Sequence, residues 1–195
     1  YVSEKNTDEF VDTDADAFFI GEAESSLLEV LKRVLTKKDY SDVSGVAINK
    51  KEYYEDGKPV FRFGRMDLLE FENLGFPSYD LVKTNEYYKS FNWGYSRNKY
   101  ALMESTRGCP YSCTYCHVIF GKKTRFRTPR SVVDEIKELI KNQNITDLFF
   151  TDDIFNINKK RATEIFDIII AEKIKIRIHF PNGLRGDIML SLIHI

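Results

Sequence analysis

The sequence predicts an α/β protein in which parallel strands alternate with helices. Short apolar runs alternate with segments whose apolar residues recur at helical spacing, turn residues separate them, and polar residues follow the strands. Strands joined through helices run parallel by right-handed crossovers, so the loops after them share one face. The 195 residues carry 29 basic and 30 acidic side chains, and this balance gives no overall field for nucleic acid or an anionic membrane.

The first part of the chain is predicted as strand, turn and amphipathic helix, followed by a small β-hairpin. The strand covers residues 17–20 and ends at Gly21 and Glu22. The apolar stripe of the helix consists of Leu27, Leu28, Leu31, Val34 and Leu35. Residues 43–49 and 59–63 flank the pair Asp56-Gly57, which is typical of a hairpin turn. Residues 64 to about 98 are predicted to be an extended connector, since they contain Gly, Pro and many aromatic residues with little period.

The second part has the order β-α-β-α-β. Its strands are predicted at 100–103, 148–151 and 174–180. Thr128 with Pro129 begins the first helix and Asn158 caps the second. The predicted domains are 1–40, 41–98 and 99–190. Residues 191–195 look like a non-native tail, and the start of the chain suggests a fragment without its natural N-terminus.

All three cysteines, Cys109, Cys113 and Cys116, lie within eight residues. Three soft thiolates on a tight loop suit an iron-sulfur cluster or zinc. A four-iron cluster ordinarily takes four cysteines, so this set either leaves one iron open to an exogenous ligand or is completed by His117. The alternative is a structural Cys3His zinc module, for which adjacent Cys116 and His117 make an awkward pair of ligands.

The cysteine loop resembles the signature of the radical S-adenosylmethionine (SAM) superfamily. The resemblance includes Thr106-Arg107-Gly108, Tyr115, and the segments 150–155 and 180–185. A looser likeness covers residues 1 to about 98, which resemble the end of the cobalamin-binding domain found in the B12-binding subgroup. The implied fold is a partial radical SAM (β/α)6 barrel, preceded by the C-terminal part of a flavodoxin-like cobalamin-binding domain and a connector.

The resemblance implies an enzyme in which the three cysteines hold a [4Fe-4S] cluster and SAM chelates the open iron. Reductive cleavage of SAM then gives a 5′-deoxyadenosyl radical. Methyl transfer or ring formation on an unknown small molecule is expected if cobalamin binds. A B12-free member and a methylthiotransferase are the alternatives. An external electron donor such as flavodoxin or ferredoxin is also implied.

Cofactor contacts are expected in the loops that follow the strands. The candidates are Tyr115 for the adenine, Asp152 and Asp153 for ribose or ammonium, Asn182 and Gly183 for backbone contact, and Gly21 and Glu22 for the cobalamin tail. Each has a plainer interpretation. Tyr115 could shield the cluster, and the two aspartates could form an Asx turn or a helix cap. Asn182-Gly183 could be a simple turn, and Gly21 and Glu22 could be a strand-to-helix cap. Arg185 either forms a bidentate pair with a carboxylate or lies on the rim.

A basic run follows the cysteine loop. It consists of Lys122, Lys123, Arg125, Arg127 and Arg130. We expect a solvated face, and the alternative is a patch for an anionic substrate, a corrin side-chain tail or an RNA backbone. Nucleic acid is not expected as a partner, because the charge is balanced and no RNA-binding module is present. No apolar run reaches the length of a membrane span, so a cytoplasmic location is expected.

Overall fold

The computed structural model describes residues 7–61, 70–82, 99–116 and 120–188. The chain divides into two compact units, Tyr1–Leu69 and Glu70–Ile195. The predicted boundaries at residues 40, 98 and 190 stay predictions, and the tail 191–195 lies outside the described residues.

The first unit contains two small antiparallel pairs and one helix. Strand β1 (Ala17–Phe19), helix α1 (Glu24–Leu35) and strand β2 (Val46–Ile48) are followed by the two-residue strands β3 (Tyr54–Glu55) and β4 (Lys58–Pro59). The predicted turn at Asp56-Gly57 joins β3 to β4, with φ of 48° and 78° at its two residues.

The prediction that residues 43–49 form one arm of this hairpin is wrong. β2 pairs antiparallel with β1, with Phe18 opposite Ala47, and not with the 59–63 segment. All three residues of β2 are buried, so the strand needs apolar cover that a short polar hairpin cannot provide. Residues 62 and 63 lie outside the described part.

Helix α1 forms where predicted, but its leucine stripe does not face the core. The five stripe residues are between 42% and 83% exposed, whereas Val30 is buried and packs against Val43, Val46 and Ile48. The periodicity therefore located the helix and assigned its buried side wrongly. Among the described residues, nothing covers the stripe fully.

The second unit contains the predicted parallel strands. The elements are β5 (Tyr100–Met103), β6 (Thr106–Arg107), β7 (Arg125–Phe126), α2 (Pro129–Gln143), β8 (Asp147–Phe150), α3 (Lys159–Ala171) and β9 (Arg177–His179). β8 lies between β5 and β9, and both pairings are parallel. The predicted order β-α-β-α-β is confirmed in this unit, although β9 is shorter than the 174–180 alternation.

Local signals in the sequence set both helix starts. The side-chain oxygen of Thr128 accepts a hydrogen bond from the Ser131 N–H, with Pro129 at the first helical position. Asn158 accepts one from the Arg161 N–H.

The two helices cover one face of the sheet. Its buried core is formed by Ala101, Met103, Val132, Val133, Ile136, Leu139, Ile145, Leu148, Phe150, Phe155, Ala162, Ile165 and Ile169. This core fixes the strand ends from which the functional loops begin.

A membrane span was not expected, and no helix in the described ranges is long and apolar enough to cross a bilayer.

Candidate functional site

The loops that follow β5, β8 and β9 meet at a cavity of about 710 Å³. Parallel strands bring their carboxyl ends to one edge of the sheet, which is why residues distant in sequence meet there. The lining residues are Cys109, Tyr111, Cys113, Tyr115, Cys116, Asp153, Ile154, Asn182, Gly183, Leu184 and Arg185. Seven of the ten residues predicted from the sequence to bind cofactor or metal are in this lining.

The cysteine loop is closed at its base by the antiparallel pair β6–β7, with Thr106 opposite Phe126. Cys109 is half-buried, Cys113 and Cys116 are exposed, and none of the three forms a disulfide. The Cys109 N–H donates to the Gly121 carbonyl at 3.1 Å, and the Cys116 N–H donates to the Cys113 carbonyl at 3.1 Å. The thiols are therefore presented to the cavity by a loop whose backbone is internally bonded.

Gly108 lets the two sides of this loop approach each other. Its φ is +88°, and a Cβ atom there would overlap the carbonyl oxygen of Lys123 and lie 3.2 Å from that of Gly121. The Gly108 N–H donates to Oδ2 of Asp153 at 3.2 Å. Only glycine satisfies both the backbone conformation and the close approach.

The three cysteines suit a cluster better than a single metal ion. Within the described ranges, no three Cys, His, Asp or Glu side chains converge closely enough to hold one ion. A mononuclear zinc site needs such convergence. A cluster instead offers a separate iron atom to each thiolate, so the three thiols that line the cavity need not reach a single atom. His117, the fourth ligand of the zinc alternative, lies outside the described residues.

The two aspartates after β8 have different surroundings. Asp153 lines the cavity. Asp152 is absent from the lining and is only 2% exposed. Its Oδ1 accepts hydrogen bonds from the N–H and the hydroxyl of Ser105, both at 2.9 Å, and from the N–H of Thr106. Burial raises the pKa of Asp152. Asp152 thus holds the end of the segment that leads into the cysteine loop. Neither aspartate caps α3, because Asn158 is its N-cap.

The loop after β9 supplies the remaining wall. Asn182 Nδ2 donates to the carbonyls of Thr151 and Asp152 at 3.1 and 3.0 Å. Gly183 has φ +79°, with open space where a Cβ would be. The Arg185 guanidinium lies over the Tyr111 ring, 4.1 Å from its centroid, and forms a bidentate pair with Asp187 at 2.9 and 2.5 Å.

Tyr115 is 92% exposed at the cavity mouth. Its ring is therefore accessible to a planar ligand. The expectation that it contacts adenine stays a prediction.

Gly21 and Glu22 belong to the first unit. They form the turn between β1 and α1, where Gly21 has φ +71° and open space beside its Cα. Their predicted role in cobalamin binding stays a prediction.

The basic run is only in part the solvated face that we expected, because Lys122, Lys123 and Arg130 are exposed. Arg125 and Arg127 are buried, and Arg127 pairs with Glu135 on α2. Arg130 pairs with Asp134 and Glu172, and Lys122 donates to the Tyr111 carbonyl. The buried Arg127 pair thus stabilises the fold, and the engagement of these side chains weakens the argument for an RNA patch.

Two contacts near the cavity were not predicted from the sequence. Arg107 is held between the rings of Phe71 and Phe120, at 4.8 and 4.9 Å, and donates to Glu104 at 2.9 Å. Burial raises the pKa of Glu104. Asn156, 1% exposed, bonds to both backbone polar groups of Arg185. Side-chain type alone carries no signal for such pairings between distant segments.

Comparison with known proteins gives a family match and several relatives. Residues 103–193 match the model of the radical SAM superfamily. An uncharacterised methyltransferase of Pyrococcus horikoshii is 28% identical over 152 residues, covering 77% of this chain and 31% of that protein. An anaerobic magnesium-protoporphyrin IX monomethyl ester cyclase of Synechocystis sp. is 25% identical over 159 residues, covering 81% and 30%.

Among solved structures, the radical SAM methyltransferase TsrM of Kitasatospora setae, with cobalamin and a [4Fe-4S] cluster bound, has a TM-score of 0.58. It is 20% identical to this chain and the match covers 81% of this chain and 30% of that one. This likeness concerns the fold. The chain thus spans about a third of the length of these relatives. The segment that matches the radical SAM superfamily, residues 103–193, contains all three cysteines that line the cavity, so the similarity to that family falls on the part of the chain that forms the site.

Proposed function

We propose that the protein binds a [4Fe-4S] cluster through Cys109, Cys113 and Cys116 and reductively cleaves SAM. The observation that carries this proposal is the single cavity lined by all three thiols together with Asp153 and Arg185. With one electron from an external donor such as flavodoxin or ferredoxin, the bound cofactors supply cleavage of SAM to methionine and a 5′-deoxyadenosyl radical. The protein contributes binding, orientation and exclusion of water.

The charges in the cavity match the amino-acid end of SAM. Apart from the thiols, Asp153 and Arg185 are the charged members of its described lining. A carboxylate and a guanidinium recognise an ammonium and a carboxylate, respectively, and a guanidinium can do so with two parallel hydrogen bonds. Arg185 would exchange Asp187, its present bidentate partner, for the SAM carboxylate.

The remaining lining suits the nucleoside of SAM. Exposed Tyr115 offers a ring for the adenine. Gly183 leaves room for close backbone approach, and the Asn182 amide lies beside it, bonded to the carbonyls of Thr151 and Asp152. Contacts with these uncharged groups would orient the nucleoside of SAM.

Cobalamin-linked methyl transfer or ring formation on a small molecule is the overall reaction that we propose. The methyltransferase and cyclase relatives and the cobalamin in TsrM favour it. Gly21 and Glu22 would then contact the cobalamin tail. A shift in the visible spectrum of hydroxocobalamin on titration, reduced in E22A and unchanged in E52A, tests this. No shift with the unsubstituted protein would favour a B12-free member.

The cluster is tested by anaerobic reconstitution with iron and sulfide. We expect a broad visible absorbance that bleaches with dithionite, and 5′-deoxyadenosine when SAM and a reductant are present. Each single Cys→Ser variant should lose both signals, whereas S112A in the same loop should keep them. One zinc per chain with no such absorbance would overturn the proposal in favour of the zinc module.

A further inference from the structure

The loop after β8, residues 151–158, bonds to both neighbouring loops of the cavity. On one side Asp152 reaches the end of the segment that leads into the cysteine loop. On the other side Asn156 reaches the backbone of Arg185. Both side chains are almost completely buried, at 2% and 1% exposure, so neither is available to a ligand in the cavity.

The Asp152 contact is concentrated on one oxygen. Oδ1 accepts three hydrogen bonds, from the N–H and hydroxyl of Ser105 and the N–H of Thr106. The Ser105 carbonyl in turn accepts from Arg161 Nη2 at 2.8 Å. Ser105 is fully buried, so its backbone groups depend on these partners. These hydrogen bonds fix the chain at Ser105, three residues before Gly108, where the cysteine loop begins.

Asp152 Oδ2 and Arg161 Nη1 have no hydrogen-bond partner among the described residues, and both atoms are buried. Burial lowers the pKa of Arg161 to about 10, and the charge of Asp152 opposes this shift. The charge of each group therefore favours the ionised form of the other. Removal of the Asp152 carboxylate would affect Arg161 as well as Ser105.

The Asn156 contact imitates strand pairing. Its Oδ1 accepts from the Arg185 N–H at 3.0 Å, and its Nδ2 donates to the Arg185 carbonyl at 2.9 Å. Two such bonds fix both backbone polar groups of one residue, as a neighbouring strand would. The Arg185 side chain can then lie over Tyr111 and reach the cavity.

We propose that Asp152 and Asn156 are separate positioning residues: Asp152 sets the cysteine loop for the cluster, and Asn156 sets Arg185 for the ligand carboxylate. The inference rests on the proposed function of the cavity. It divides the site into two halves that share one loop but depend on different side chains.

Hydrogen exchange on the metal-free protein tests the division without any cofactor. D152A should increase the exchange rates of the Ser105 and Thr106 amides at least tenfold and leave the Arg185 amide within twofold. N156A should do the reverse. The same substitutions at exposed positions, D167A and N142A, serve as controls. Equal acceleration of both sets of amides by either variant would overturn the proposal.

Reconstituted protein provides the functional readouts. N156A should keep its iron content and the electron paramagnetic resonance signal of its reduced cluster, while its Kd for SAM rises about tenfold. D152A should lose more than half of its iron, while the clusters that form keep the SAM Kd within twofold. Loss of iron in N156A would overturn the assignment.

D152N covers the case in which D152A does not fold. Its amide oxygen can still accept from the Ser105 and Thr106 amides, so we expect partial recovery of iron content. An iron content no higher than that of D152A, in a folded D152N protein, would contradict the assignment. Failure of the proposed function is distinguishable, because the unsubstituted protein would then take up no iron or bind no SAM while the exchange measurements still decide the positioning roles.

Discussion

Gly108 lies so close to the backbone of Lys123 that a Cβ atom would overlap the Lys123 carbonyl oxygen. Its φ of +88° adds a conformational cost for any other residue. We expect G108A to open the base of the cysteine loop and to lower iron content after reconstitution to less than half.

Gly121 offers a matched control for that substitution. It belongs to the same loop and has φ +78°, but nothing lies within 4 Å of an added Cβ. G121A should therefore cost only the backbone term, roughly 1–2 kcal/mol in the free energy of unfolding, and should keep its iron. Equal losses of iron in the two variants would mean that the close contact at Gly108 is unimportant.

Acid should weaken the start of β8. Asp147 is buried and accepts from Arg177 at 2.9 and 2.7 Å and from Thr146 at 2.7 Å. The Arg177 bonds hold the pKa of Asp147 well below its usual value. A depressed pKa means that this stabilisation is complete above about pH 5, since the unfolded pKa is about 3.9. It is lost as the pH falls further towards the folded pKa.

D147N is expected to lower the free energy of unfolding by about 2 kcal/mol at pH 7, because hydrogen bonds to a charged group are lost. The difference from the unsubstituted protein should shrink between pH 5 and pH 2. Urea denaturation at a series of pH values measures it. D167N, which removes an exposed carboxylate on α3, should leave the pH profile unchanged. A difference that stays constant with pH would exclude the ionised Asp147 as its source.

Most of the second unit could be predicted because its signals are local. Thr128 and Asn158 cap the helices that they precede, and the alternation of strands and helices implies the parallel order. Which of two adjacent aspartates faces the cavity is not a local property. Asp152 is held away from the cavity by its hydrogen bonds to Ser105 and Thr106, which lie more than 40 residues earlier in the chain.

The arginines after the cysteine loop show the same limit. Charge and spacing predicted a solvated run, but Arg127 is buried because Glu135, nearly two turns into α2, provides a buried partner. Glu135 lies three residues after Val132 and four before Leu139, so helical spacing puts it beside the apolar stripe. Spacing does not show that a charged side chain there is buried with a partner. That pairing depends on how the start of α2 packs against the fold.

Breaking the buried pair Arg127–Glu135 should be costly. The two side chains are 6% and 2% exposed, and Glu135 Oε1 also accepts from the Tyr79 hydroxyl at 3.1 Å. E135Q leaves the Arg127 charge buried without a counter-charge, and we expect a loss of about 3–5 kcal/mol in the free energy of unfolding. D134N, at the neighbouring exposed position, should have no measurable effect. A loss in E135Q no larger than in D134N would show that Arg127 is well solvated.

Helix α1 should drive self-association through its leucine stripe. Leu28 and Leu31 are 52% and 50% exposed, and a contiguous exposed apolar surface of this kind favours association. L31K should lower the apparent mass in analytical ultracentrifugation while changing the free energy of unfolding by less than about 0.5 kcal/mol. V30A, one position earlier on the buried side, should instead cost about 1–3 kcal/mol and leave association unchanged. If L31K destabilised the protein as much as V30A, the stripe would have to face the interior, and the orientation of α1 described above would be wrong.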